Sequence, residues 1–265
     1  MQPEKMIIDQ IPYLLAKYDK KKLGVAIDVG VGTFNYYFET FHNSGFKTFA
    51  IEPLPTESLR KVISSKKIHL IEACILDYEG RVSIYSGIFN DSACIDVSSI
   101  HKDWWGINEK SSKTEVASIT LETLIRRHQI SAISYIKIDT EGSEYLIIKQ
   151  FSDLKKSLLP QIIEFEYGGG ATKNTKRGGW ALNYFEKTLK CINTCHELGY
   201  KHLLLFESVN EEPIEINLDE LKTYEDIFED HYVYGNIIML KEKLYSLDKV
   251  KKAKHTWMKN ILSKL

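Results

Sequence analysis

Short apolar runs of strand type alternate along this chain with longer stretches of helical period. That alternation restricts the fold to an α/β architecture, a mostly parallel sheet with helices packed on its faces. The runs that read as strands are residues 24–28, 48–51, 68–73, 133–138, 162–165, 202–206 and 234–240, with 81–85 as a short extra edge strand. Helical period covers 34–43, 57–64, 121–128, 143–154 and 180–198, the last closed by Gly199 as its C-cap. With 265 residues and 43% hydrophobic content, the chain can bury one sizeable α/β core. We expect that domain to span 23–242, preceded by a helical extension over 1–22 and followed by a basic amphipathic helix over 243–265. In that last helix Leu247, Val250, Trp257, Ile261 and Leu265 share a face suited to packing on the domain.

The charge balance removes one large class of partner. Thirty-five Lys and Arg against 36 Asp and Glu leave a net charge of -1, with no global attraction for a nucleic acid. Charges interrupt the apolar residues of the N-terminal segment, and no run is long enough to span a bilayer, so the expectation is a cytoplasmic protein without a transmembrane segment. Cys74, Cys94, Cys191 and Cys195 lack CxxC spacing and read as unpaired thiols. Two stretches break the alternation. Residues 89–116 read as a long loop in which Trp104 and Trp105 would offer ring faces to a sugar. Residues 167–179 combine five glycines with Lys173, Lys176 and Arg177 after a strand end, which reads as a lid or substrate loop, or else a flexible connection.

The first strand ends in Ala26-Ile27-Asp28-Val29-Gly30-Val31-Gly32-Thr33-Phe34, and the second in Phe49-Ala50-Ile51-Glu52-Pro53. Gly30 and Gly32 allow a tight turn and close approach of backbone to a ligand, while Glu52, 20 residues after Gly32, is placed to accept from two ribose hydroxyls. A dinucleotide and S-adenosylmethionine both use such an arrangement. Asn35 stands where the dinucleotide pattern wants a third glycine, and Asp28 would repel a pyrophosphate yet attract the ammonium of a methionine moiety. Both features favour S-adenosylmethionine. A later strand, Tyr135-Ile136-Lys137-Ile138, runs directly into Asp139-Thr140-Glu141-Gly142-Ser143-Glu144, which places carboxylates at the C-terminal edge of the sheet beside the same cleft.

Thr120-Leu121-Glu122, followed by Ile136-Lys137-Ile138-Asp139-Thr140-Glu141-Gly142-Ser143-Glu144, resembles the signature of the FkbM family of methyltransferases, whose usual form reads "TLD" and then "IKIDVEGxE". Ile27-Asp28-Val29-Gly30, Glu52-Pro53-Leu54-Pro55, Leu159-Pro160-Gln161-Ile162-Ile163-Glu164 and Asn236-Ile237-Ile238 extend the resemblance over about residues 24–240. It implies a class I (Rossmann-like) methyltransferase fold: a seven-stranded, mostly parallel sheet with an antiparallel last strand and helices on both faces. It also implies S-adenosylmethionine-dependent O-methyl transfer to a small-molecule, sugar or glycan-like acceptor. The chain departs from the family's "GANxG" at Gly32 and Phe34, which bears on the contacts of this loop.

Methyl transfer to an alcohol needs the oxygen in line with the methyl carbon and a place for its proton. Asp28, Gly30, Gly32, Glu52 and Asp139 are the candidate cofactor residues. Asp139, Glu141 and Glu164 are the candidate catalytic acids, Asp139 as a contact to cofactor or acceptor and the two glutamates as alternative bases. No set of dedicated metal ligands stands out, but if several of Asp139, Glu141, Glu164 and Glu166 converge, a Mg²⁺ would bridge the hydroxyls of the acceptor. Two other readings of the same residues stay open: a non-catalytic S-adenosylmethionine-binding or interaction module of this fold, and a nicotinamide oxidoreductase.

Overall fold

A computed structural model describes residues 3–210 and 212–244. Two short helices, α1 (Pro3–Ile8) and α2 (Ile11–Tyr18), lead into β1 (Val25–Val29), α3 (Tyr36–Asn43), β2 (Lys47–Ile51), α4 (Glu57–Lys66) and β3 (His69–Ile71). Four strands follow: β4 (Cys74–Ile75), β5 (Gly80–Phe89), β6 (Ser92–Ser99) and β7 (Lys113–Ile119). The chain then continues through α5 (Leu121–Arg127), β8 (Ile133–Ile138), α6 (Glu144–Ile148), β9 (Ile162–Gly168), α7 (Leu182–Glu197), β10 (His202–Glu207), β11 (Ile214–Asn217) and β12 (Tyr234–Leu240). The helix expected over 243–265 falls, from residue 245 on, outside the described residues.

The large sheet has eight strands in the order β11-β10-β12-β9-β8-β1-β2-β3. All seven expected runs contribute to it. The expected number is corrected by β11, which pairs antiparallel with β10; its sequence, Ile-Glu-Ile-Asn, alternates over too few residues to stand out. β12 is antiparallel to both neighbours, β9 and β10, while β3, β2, β1, β8 and β9 run parallel. All residues of β1 and β8 are buried, as strands covered on both faces must be, and their near-continuous apolar sequence follows from that. The chain moves outward from β1 to β2 and β3, then returns to β8 on the other side of β1. The crevice above the C-terminal ends of β1 and β8 is therefore a topological switch point, where open α/β sheets bind ligands.

The sheet separates two apolar layers. Ile27, Ile136, Ile163 and Phe165 pack with Leu124 of α5, Ile147 of α6 and Ile192 of α7. On the opposite face Ala26, Tyr135, Ile162 and Ile238 pack with Ile7, Leu14 and Phe41 of the first three helices. The α7 face that buries Tyr184, Cys191, Ile192 and Cys195 follows the helical repeat. Its end is a Schellman turn: Gly199, at φ 93°, donates to the His196 carbonyl and Tyr200 to that of Cys195, both near 3 Å. The helix expected over 143–154 is shorter, α6 giving way to a 3-10 turn over Lys149–Asp153.

The stretch 89–116, read as a loop, is instead partly strand: its two ends belong to a second sheet, ordered β4-β7-β5-β6, with 100–112 remaining an irregular connection. β5 and β6 form a hairpin whose two turn residues, Asn90 and Asp91, have φ values of 48° and 61°, the left-handed pair of a type I′ turn. The pattern is hard to read because these strands are only partly buried and so carry little apolar alternation. Among the described residues no helix is long and apolar enough to cross a membrane. Phe165 is fully buried in a central strand. Its replacement in Phe165→Ala is expected to lower the unfolding free energy by about 3–5 kcal/mol, read from urea denaturation; a loss below about 1 kcal/mol would contradict this packing.

Candidate active site

A cavity of about 1110 Å³ lies along the C-terminal ends of β1, β2, β8 and β9, walled by β6 and by α1. Its floor is electrostatic. Lys137, 5% exposed on β8, places Nζ 3.1 Å from Asp139 Oδ2 and 3.6 Å from Asp28 Oδ1, and donates to the Gly30 carbonyl at 3.0 Å. Burial works against its charge, but the carboxylates of Asp139 and Asp28 outweigh burial and hold the ammonium above the ordinary lysine range. Burial pushes the Asp28 carboxyl up to about 6, against the pull of Lys137. Asp28 Oδ1 is out of water and accepts no hydrogen bond among the described residues.

The loop after β1 is shaped for close approach. Gly30 has φ 77°, and a Cβ there would lie 1.6 Å from the Asp139 carbonyl oxygen, so no other residue fits. Gly32, at φ 58°, donates its N–H to Glu52 Oε2 at 2.8 Å, and Leu54 N–H donates to Glu52 Oε1 at 2.9 Å. Each Glu52 oxygen thus keeps a further lone pair for a diol. Thr33 donates through both N–H and Oγ1 to Asp96 of β6, which fixes the loop from above at 2.6–2.9 Å. These features fit S-adenosylmethionine: a buried carboxylate oxygen with no hydrogen bond for an ammonium, a side-chain-free turn, and a carboxylate beside a ribose position.

Three acids meet in the same cavity. One carboxylate oxygen from each of Asp139, Glu141 and Glu166 lies within 4.8 Å of the others, close enough for the three to share one cation. Glu141, at φ 54°, accepts from Trp104 Nε1 at 2.6 Å through Oε2, while its carbonyl accepts from Ser99 Oγ at 2.6 Å. Burial and the neighbouring Asp139 hold the Glu141 carboxyl well above its usual range, with Trp104 opposing; burial, Asp139 and Glu141 do the same to Glu166. Glu144 fixes the turn beneath them by accepting from Thr140 N–H at 2.9 Å.

Of the sequence-derived site residues, Asp28, Gly30, Gly32, Glu52, Asp139 and Glu141 line this cavity, whereas Glu164 does not. Glu164 lies one pleat deeper on the same face of β9 as Glu166. It is fully buried and accepts from Tyr37 at 2.6 Å, Tyr135 at 2.5 Å and Asn236 at 3.2 Å. A carboxylate closed off in this way cannot reach an acceptor hydroxyl, which corrects its placement as a base. Glu166 takes the accessible position, and the period-2 run Glu164-Phe165-Glu166 already puts both acids on one face with Glu166 nearer the strand end. The expected stacking role of Trp104 is also corrected: its ring is 6% exposed, edge-on to Tyr184, and its N–H is spent on Glu141. Trp105 does line the cavity, against Gly169 and Gly170, where a Cβ would come within 3.0 and 2.7 Å of its ring. The stretch 167–179 is also tied down, with Gly169 N–H donating to the Val233 carbonyl at 2.8 Å, Asn174 N–H to that of Asp230 at 3.0 Å and Lys173 to that of Phe228.

Burial raises the Glu164 carboxyl from an ordinary 4.5 to about 7, against the hydrogen bonds of Tyr135 and Tyr37. Between those values the unfolded chain has lost a proton that the folded chain retains, so this group's contribution to stability falls as pH rises toward 7. In Glu164→Gln the fall in unfolding free energy between pH 4.5 and 7 is therefore expected to be shallower than in the parent, by urea denaturation at each pH; parallel profiles would contradict the assignment.

The comparisons with known proteins come down to one family. The profile of the methyltransferase FkbM domain matches residues 23–202, well over half of the chain. No curated protein matches. A solved structure described as "Crystal structure analysis of the methyltransferase domain of bacterial-CtHen1-CN" is similar at 12% identity and a TM-score of 0.37, covering 88% of this chain and 99% of that one; a likeness so distant carries no argument about function. With the family profile spanning both the glycine loop and the Asp139–Glu144 turn, the chain belongs to the FkbM methyltransferase domain family.

Proposed function

We propose that this chain is an S-adenosylmethionine-dependent O-methyltransferase acting on a hydroxyl of a small-molecule, sugar or glycan-like acceptor. The observation that carries the reading is the shared cavity, in which Asp139 stands beside Asp28 across Lys137 and so joins the Gly30–Gly32 turn and Glu52 to Glu141 and Glu166. Asp28 would hold the ammonium of the cofactor and Glu52 its ribose, with Gly30 and Gly32 admitting it close to the backbone. When bound, the cofactor supplies an electrophilic methyl carbon. Asp139 stands between the two halves and orients the acceptor. Glu141 and Glu166 are the acids nearest such an acceptor to receive the hydroxyl proton, and burial, which raises both carboxyls well above their usual range, makes each a stronger base than an exposed glutamate.

The three acids also suit a hard cation such as Mg²⁺ through their oxygens. With Glu141 and Glu166 as proton acceptors, activity is expected to survive dialysis against EDTA; a loss restored by Mg²⁺ would assign the cluster to a metal. The central test is S-adenosylhomocysteine formation across a panel of hydroxylated acceptors. Asp139→Asn and Glu141→Gln are each expected to lower kcat/KM by about 10²–10⁴-fold. Tight cofactor binding with no product from any acceptor would favour a non-catalytic binding module.

A further inference from the structure

Four aromatic side chains among the described residues are exposed, and three of them, Phe34, Tyr36 and Phe89, stand on the lining of the site cavity. Each is more than half exposed. Phe34 and Tyr36 lie nearly parallel, 22° apart with ring centroids at 6.2 Å, and Phe89 meets Trp105 edge to face at 6.5 Å. Large apolar faces held in water around the mouth of a pocket, when most such groups are buried, mark a surface that another molecule covers. Trp105 adds a polar signal: its Nε1 is shielded from water and has no acceptor among the described residues. The departure from the family loop gains a meaning here. Phe34 occupies the place of the family's last glycine and projects to this rim, so the substitution adds ring surface while leaving Asp28, Gly30 and Glu52 in place.

Charge narrows what can lie there. The lining carries eight acidic side chains against two lysines and has no arginine or histidine, so negative charge outweighs positive even with a proton shared between Glu141 and Glu166. Lys137 is already committed to Asp28 and Asp139, leaving exposed Lys5 of α1 as the other cation. A low-dielectric cleft lined by one sign of charge repels ligands of that sign well beyond contact distance. Hydroxyl groups, which donate hydrogen bonds, are in contrast well matched to carboxylate acceptors.

We infer that Phe34, Tyr36, Phe89 and Trp105 form an acceptor subsite for an uncharged, hydroxylated molecule with a ring face, such as a neutral sugar ring, and that phosphate- or carboxylate-bearing acceptors are excluded. This inference rests on the O-methyltransferase reading but concerns the rim, where binding can be measured without turnover. The apolar face of the ring lies against the aromatic rim, Trp105 Nε1 donates to a ring or hydroxyl oxygen, and the remaining hydroxyls turn toward the acids.

The test uses the protein saturated with S-adenosylhomocysteine and a matched pair of probes, para-nitrophenyl β-glucoside and para-nitrophenyl β-glucuronide, which differ only in that a carboxylate replaces the C6 hydroxymethyl group. Ligand-observed NMR titration is expected to give glucoside binding at least roughly tenfold tighter than glucuronide binding. Phe34→Ala and Phe89→Ala, both at exposed positions, are each expected to weaken glucoside binding by about fivefold or more, with S-adenosylhomocysteine titration confirming that the variants are folded. Equal or tighter binding of the glucuronide, no binding of the glucoside, or unchanged affinity in both variants would overturn the inference. Glucoside binding that follows this pattern without methyl transfer to any acceptor would leave the rim standing and overturn the O-methyltransferase reading; turnover of another acceptor with no glucoside binding would do the reverse.

Discussion

The buried ammonium of Lys137 is the interaction on which the site depends. It lies where β1 and β8 meet, paired to Asp28 on one strand and Asp139 at the end of the other, and it ties down the Gly30 carbonyl of the turn between them. Two carboxylates that would repel one another in a dry crevice are thereby held side by side at the switch point of the sheet. Removing one member of such a buried group leaves charge without compensation, which costs far more than the pair itself contributes. The arrangement nevertheless leaves Asp28 Oδ1 with its 3.6 Å ion pair to Lys137 but no hydrogen bond among the described residues. A protein keeps such an atom where a ligand completes it, which is why the floor of this cavity argues for a cationic group in the cofactor.

Around that floor the small second sheet performs a positioning role. Asp96 of β6 grips the turn through Thr33, Ser99 holds the carbonyl of Glu141, and Trp104 holds its carboxylate. Both halves of the cavity, the glycine turn and the acidic end, are thus fastened to one hairpin and the segment after it. Movement of that hairpin would disturb both together. The altered family loop is consistent with this: Gly32 lies so near Asp96 that a Cβ would approach its Oδ1 to 2.4 Å, so the glycine makes room for the clamp.

The large sheet was legible because burial on both faces writes itself into the sequence as continuous apolar runs, of which Val25–Val29 and Ile133–Ile138 are the clearest. β11 and the second sheet were not, because strands that are short or half exposed carry little apolar signal. The same contrast holds in the site. Asp28, Gly30, Glu52 and Asp139 sit at strand ends, where topology alone predicts a crevice. Glu164 and Glu166 differ by a single pleat, and only the closure of Tyr37 and Tyr135 over the former separates a buried structural acid from an accessible one. The partners Trp104 and Asp96 come from a segment whose path the sequence did not reveal, so their contacts could not be read in advance.

The most direct measurement is calorimetric titration of the protein with S-adenosylmethionine, S-adenosylhomocysteine and NAD, beside an Asp28→Ala variant shown to be folded. Binding of the first two is expected in the micromolar range, with no binding of NAD and at least roughly tenfold weakening in the variant through loss of the ammonium contact. Selective binding of NAD, or no binding of any of the three by the folded parent, would contradict this expectation.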